Sequence, residues 1–166
     1  MRDDNFERLY AEHARSLLKF LFYRTGNRAL AEDLVADTFE KVLRSRSRFD
    51  PRKGSEKRWL YAVALNALRD QARRAATEAG AMERAAPAGQ EAPGRPGPSD
   101  ELDQVEDRDV LLRGLGRLSD EEREAIALRY GAELTLPEIA KLLQEKLSTV
   151  QGRVYRALRK LKDELE

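Results

Sequence analysis

The chain has 166 residues, 37% charged and 41% apolar, and its 31 Lys and Arg nearly balance 30 Asp and Glu, an ordinary composition for a helix-rich soluble protein of one or two small domains. It has no cysteine, which excludes disulfides, thiolate metal sites and cysteine nucleophiles, and its lone histidine, His13, argues against an imidazole-built metal site or catalytic triad. MRDDNFER is too charged to open a signal peptide and no apolar run nears the roughly 20 residues of a membrane span, so a soluble, cytoplasmic protein without a bound cofactor is expected.

The near-zero net charge hides a division along the chain. Residues 1–75 carry 17 basic against 11 acidic side chains, 76–110 carry 3 against 9, and 111–166 carry 11 against 10. The front is basic and the middle acidic.

Phe6, Leu9, Tyr10, Leu17, Phe20 and Leu21 recur at helical spacing and predict a first helix over about 3–24, with Gly26-Asn27 as stop and new N-cap. A second helix follows over about 28–45, burying Leu34, Val35, Phe39, Val42 and Leu43. The basic connector RSRSRFDPRKGSEKR then breaks the helix at Asp50-Pro51 and Gly54, and Ser55 caps a third helix running to about 74. The apolar stripe of that helix is Leu60, Val63, Ala64, Ala67 and Leu68. A second stripe, Trp59, Asn66, Asp70 and Arg73, mixes an aromatic with polar groups.

Residues 76–109 hold four of the six prolines, many Ala, Gly and acidic residues and almost no large apolar side chains. Such a segment cannot bury enough surface to offset its ordering entropy and is expected to be a disordered linker. Two small domains follow, 1–75 and 111–166, separated by a flexible acidic segment over 76–110. No strand pattern is visible, and the fold class expected is all-α.

In the C-terminal domain, Ser119-Asp120-Glu121-Glu122 is a capping box opening a helix to about 130, and Thr135-Leu136-Pro137-Glu138 is another, with Pro137 early in its helix. Ile139, Leu142 and Leu143 line the face of the latter helix; Val150, Val154, Leu158 and Leu161 line that of the last. A short helix, a turn and a second helix bearing Thr149, Gln151, Arg153, Arg156, Arg159 and Lys160 off its apolar stripe describe a helix-turn-helix, whose second helix fits the DNA major groove. An amphipathic hairpin with a solvated charged face is the plainer reading. Against it stand Ala140, small where the two helices approach, and five basic residues between Lys146 and the next acid, Asp163.

The run ALAEDLVADTFEKVLRSRSRFDPRKGSEKRWLYAVALNALRDQARR resembles region 2 of the extracytoplasmic-function group of sigma-70 transcription factors, and LSDEEREAIALRYGAELTLPEIAKLLQEKLSTVQGRVYRALRKL resembles region 4. The resemblance implies a bacterial RNA polymerase sigma factor that binds core polymerase and directs promoter recognition and transcription initiation without catalysis of its own. Its region 2 would bind the beta-prime clamp helices through Asp33, Ala36, Asp37 and Glu40. It would also capture the melted minus-10 element through the loop 49–56, beginning at Phe49, and Trp59, Asn66, Arg69, Arg73 and Arg74. Its region 4 would dock on the beta flap and read the minus-35 element through Ser148, Thr149, Gln151, Arg153 and Arg156. An extruded base needs a stacking and hydrogen-bonding pocket and the displaced backbone needs cations; Trp59 is open both to that role and to one as core anchor.

A linker of about 34 residues extends to roughly 110 Å, against roughly 70 Å for two DNA turns, so one chain spans both promoter elements. The family commonly employs an anti-sigma factor, which is the third expected partner. The chain departs from the family pattern in its turn, where Gln144, Glu145 and Lys146 replace glycine, an aliphatic residue and serine. Ser148 with Gln151 is then the expected replacement capping box, starting the recognition helix about two residues late. Ala36 for glutamine, Glu56 for an aromatic and Gly152 for serine are further departures. The competing function is a sigma-like DNA-binding regulator or adaptor that does not engage polymerase productively.

Overall fold

The computed structural model describes residues 3–81 and 105–165. Among the described residues the order is α1 (Asp3–Thr25), α2 (Arg28–Arg44), a 3-10 turn (Arg46–Arg48), α3 (Glu56–Ala81), α4 (Val105–Gly116), α5 (Asp120–Ile126) continued by a π-helical turn (Ala127–Gly131), α6 (Leu136–Leu143) and α7 (Leu147–Leu165). No strand occurs among them. Two compact units form, one from Met1–Ala14 and Asn27–Gly94, the other from Arg15–Gly26 and Arg95–Glu166, in so far as these are described.

Local signals stop and start the first helices as expected. Gly26 takes a left-handed φ of 70° and donates its N–H to Phe22 O at 2.8 Å, closing α1. Asn27 caps α2 by accepting from Leu30 N at 3.0 Å. Ser55 does the same for α3, accepting from Arg58 N at 3.1 Å.

In the first unit α2 packs on α3, and the Phe6 and Tyr10 rings of α1 meet Phe39 of α2 at centroid distances of 6.2 and 4.7 Å. Leu34, Phe39 and Val42 are buried, whereas Leu43 is exposed, a correction to the expected stripe. The buried side of α3 is wider than its predicted stripe, because Tyr61 and Leu65 join Leu60, Ala64, Ala67 and Leu68.

The expected linker is shorter than 76–110, since α3 extends through Ala81 and α4 begins at Val105. AATEAGA is rich in strong helix formers that propagate α3, and the stripe leading to the buried Leu115 sustains α4. The disorder expected for the remainder, 82–104, lies outside the described residues.

In the second unit Ser119 and Thr135 build both predicted capping boxes, their hydroxyls accepting from Glu122 N and Glu138 N at 3.2 Å. The helix expected to run to 130 instead widens after Ile126 into the π-helical turn, with Ala132 N bonding Ala127 O at 3.0 Å. There Gly131 lies against α1: a β-carbon on it would stand 2.8 Å from Phe20 Cα. The buried row of α7 is Val150, Val154 and Ala157; Leu158, expected inside, is exposed.

Candidate nucleic-acid interface

On α2, Asp33, Ala36 and Glu40 are exposed and Asp37 is half-buried, so the four residues expected to bind polymerase share an outward stripe. Glu40 is ion-paired with Arg44 one turn on.

Around the loop between α2 and α3, Phe49 and Trp59 form a ring pair with centroids 5.2 Å apart and planes tilted by 39°. Both are half-buried. Asp50 accepts from Arg52 N at 3.0 Å, and its carboxyl is held below the ordinary carboxylate range chiefly by that backbone bond and then by the Arg52 side chain. Arg58 folds back to donate to Lys53 O. The loop is thus a closed turn with cations at its rim.

Farther along α3, Asn66, Arg69, Arg73 and Arg74 are all exposed. Asp70, between them, pairs with Arg73 and lies 3.6 Å from Lys41 of α2. Asn66 and Asp70 line a groove with Lys41, Arg44, Ser45 and Arg48. Lys41, Arg44 and Arg48 are not among the site residues expected from sequence, where Arg44 and Arg48 belong to the basic RSRSR run; the packing of α2 on α3 brings all three beside Asn66.

The turn between α6 and α7 contains a Schellman motif. Gln144 adopts the left-handed conformation (φ 56°, ψ 45°) usually given to glycine and donates to Lys141 O at 3.3 Å, while Glu145 N bonds Ala140 O at 2.9 Å. α7 begins at Leu147 with Val150 N bonding Lys146 O at 3.1 Å. Ser148 therefore lies inside the helix and does not cap it, a correction to the expected late start: the backbone turn closes by itself.

Along α7, Ser148, Gln151, Tyr155 and Arg159 form the exposed stripe, with Thr149 half-buried beside it. Tyr155 is 63% exposed, and the Arg159 guanidinium stands 5.9 Å from the centre of its ring. Tyr155 belongs neither to the apolar row nor to the polar set expected for α7. Arg153 is not on this stripe; its side chain is 13% exposed and lies 3.2 Å from Glu145 and 3.5 Å from Glu121. Arg156 is exposed, and its Nε stands 3.7 Å from Glu122.

Among the described residues no group of three or more His, Cys, Asp or Glu is placed to hold a metal ion, and no helix is long and apolar enough to cross a membrane. The surface offers a tilted aromatic pair, a cation-lined groove and an amphipathic helix with polar and aromatic tips, the chemistry of single-strand and duplex nucleic-acid contact.

Comparison with known proteins gives the same picture. Residues 9–78 match Sigma-70 region 2 and residues 114–163 match Sigma-70, region 4. The chain is 31% identical over 163 residues to the RNA polymerase sigma factor YlaC of Bacillus subtilis, covering 96% of this chain and 91% of that protein. It is 27% identical over 168 residues to the ECF RNA polymerase sigma factor BldN of Streptomyces coelicolor, covering 95% of this chain but 59% of that longer relative. The fold is similar to that of the sigma factor RpoE in its co-crystal structure with the anti-sigma factor NepR from Bartonella quintana, with a TM-score of 0.78 at 24% identity, covering 98% of this chain and 97% of that one. The chain belongs to the extracytoplasmic-function group of the sigma-70 family, the non-enzymatic RNA polymerase sigma factors that direct transcription initiation.

Proposed function

We propose that this chain binds core RNA polymerase through the acidic stripe of α2, takes up the melted minus-10 strand along the Phe49–Trp59 pair and the groove beside Asn66, and reads the minus-35 duplex with α7. The observation that carries the reading is that α2 presents two different surfaces, an outward stripe and an edge of the groove it forms with α3. Asp33, Ala36 and Glu40 face outward on one stripe of α2, while Lys41, Arg44 and Arg48 line the groove with Asn66 of α3. A single helix thereby serves a basic protein partner and an anionic strand.

Trp59 and Phe49 supply aromatic surface for an extruded base, Asn66 supplies a donor and an acceptor, and Arg69, Arg73 and Arg74 meet the displaced backbone. On the duplex side Ser148, Gln151 and Thr149 are short polar readers of base edges and Arg156 flanks them for phosphate. Core polymerase, through its beta-prime clamp helices and beta flap, and promoter DNA are the partners. An anti-sigma factor, of the kind held by the Bartonella protein, is the third, and the place of action is the cytoplasm.

The test is titration of fluorescently labelled full-length protein with bacterial core polymerase at near-physiological salt, with an unlabelled sigma factor as competitor. Saturable, competed binding that weakens about tenfold or more in an Asp33→Arg, Asp37→Arg variant supports the reading, since reversing two contact charges costs on the order of a few kcal/mol. Unchanged binding by that variant removes the α2 stripe from the interface. Absence of binding by the folded wild type leaves the DNA-binding regulator in its place.

A further inference from the structure

The basic residues of α7 are not equivalent. Arg153, Arg156 and Lys160, at spacings of three and four, lie on one flank of the helix, and each has a carboxylate of its own unit within ion-pair distance. Arg153 Nη2 stands 3.2 Å from Glu145 Oε1 in the α6–α7 turn and 3.5 Å from Glu121 Oε2 in the first turn of α5. Lys160 Nζ is 2.7 Å and Arg156 Nε 3.7 Å from the two oxygens of Glu122. The first turn of α5, with one residue of the turn before α7, therefore neutralises a row of cations on the helix that faces DNA.

A carboxylate offers a guanidinium the same planar pair of anionic oxygens as a phosphodiester. Sequence-independent DNA affinity comes from counterion release, roughly 0.9 of an ion for each phosphate neutralised by Lys or Arg. A cation already neutralised by a fixed carboxylate takes part only if that carboxylate is displaced, so its contribution falls. The outward stripe of Ser148, Gln151 and Tyr155 carries no such partner charge and is unaffected.

We propose that Glu121, Glu122 and Glu145 act as phosphate mimics that occupy Arg153, Arg156 and Lys160, suppress binding of random duplex and so make α7 depend on base contacts for its affinity. The proposal rests on the reading of α7 as the duplex-reading helix. It changes the parts assigned to Arg153 and Arg156, which become cations held in reserve, the first between Glu121 and Glu145 and the second beside Glu122, and drawn onto phosphate only when the base contacts are made. The residues responsible are carboxylates, which an inventory of basic side chains overlooks.

The test uses the full chain and two anisotropy probes, a labelled scrambled duplex of about 20 base pairs and the duplex that the wild type enriches from a random pool, over roughly 50 to 200 mM salt. The Glu121→Gln, Glu145→Gln variant changes two side chains that are 73% and 39% exposed and leaves both capping boxes intact. Its affinity for the scrambled duplex is expected to rise several-fold, its salt slope to steepen by about 0.9 for the one arginine released, and its preference for the enriched duplex to fall. Adding Arg153→Ala should return the slope to the wild-type value.

A control that removes the same charge elsewhere in the unit, Asp109→Asn with Asp163→Asn, should leave the slope unchanged. An equal steepening in that control, or no steepening in the glutamate variant, overturns the proposal while leaving α7 as reader. A wild type that enriches no sequence and binds neither probe overturns the reading of α7 itself, and the proposal with it.

Discussion

Lys160 of α7 donates to the Glu122 carboxylate of α5 at 2.7 Å, and the same carboxylate accepts from Ser119 N at 3.0 Å. Glu122 is 6% exposed, so the bond joins the start of α5 to the C-terminal half of α7 through a buried anion. Both its partners are needed, because a buried carboxylate left with one of them is a costly group.

That carboxyl is held below the ordinary carboxylate range, first by the Lys160 hydrogen bond and then by the Ser119 N–H. A lowered folded-state pKa contributes stability above the unfolded pKa and loses it as pH falls through the folded value. Glu122→Gln should therefore melt below the wild type at neutral pH, and the gap should narrow progressively in scans below about pH 4. A gap of constant size between pH 7 and 3 would remove the ion pair as its origin.

Gln144 occupies a left-handed backbone position at φ 56°, where a β-carbon costs on the order of 1 kcal/mol relative to glycine. Gln144→Gly should raise the urea midpoint by an amount worth about 1 kcal/mol, and Gln144→Val should lower it. Because the Schellman bonds are made by backbone atoms, neither change should alter the start of α7.

Gly131 and Gly116 should respond in opposite directions to alanine. The new methyl at Gly131 meets Phe20 Cα at 2.8 Å and Phe20 N at 3.0 Å, backbone atoms that cannot swing aside, whereas one at Gly116 meets nothing within 4 Å. Chemical denaturation should register a loss of about 2 kcal/mol for Gly131→Ala and a gain of about 0.5 kcal/mol for Gly116→Ala.

Trp59 is half-buried against Phe49, which allows it both to brace the loop and to present a face. In the proposed reading Trp59→Phe retains most promoter melting and Trp59→Ala loses about tenfold or more, since stacking on one base is worth about 1–3 kcal/mol. Permanganate footprinting of holoenzyme reads this directly, and a parallel thermal melt separates loss of stacking from loss of fold.

The end of α1 and the starts of α2, α5 and α6 were legible because their signals act within four residues. Gly26 and Asn27, Ser119 with Glu122, and Thr135 with Glu138 are each complete hydrogen-bonding units in the sequence, and the region 2 and region 4 patterns lie around them. α4 was not expected, because its acidic first turn and two glycines mask the stripe ending at the buried Leu115. Leu43 and Leu158 were expected inside and are exposed, because a wide apolar stripe does not say which edge a neighbouring helix will cover.

The sequence by itself determined the all-helical class, the two capping boxes and the family, since these depend on neighbours a few residues apart along one chain. Only the tertiary structure decided that Tyr155 faces outward, that Lys41, Arg44 and Arg48 border the groove of Asn66, and that Arg153 lies between Glu121 and Glu145. Those relations join residues on separate helices and turns. Packing, not local propensity, sets which side of each helix is turned toward its neighbour and which charges meet there.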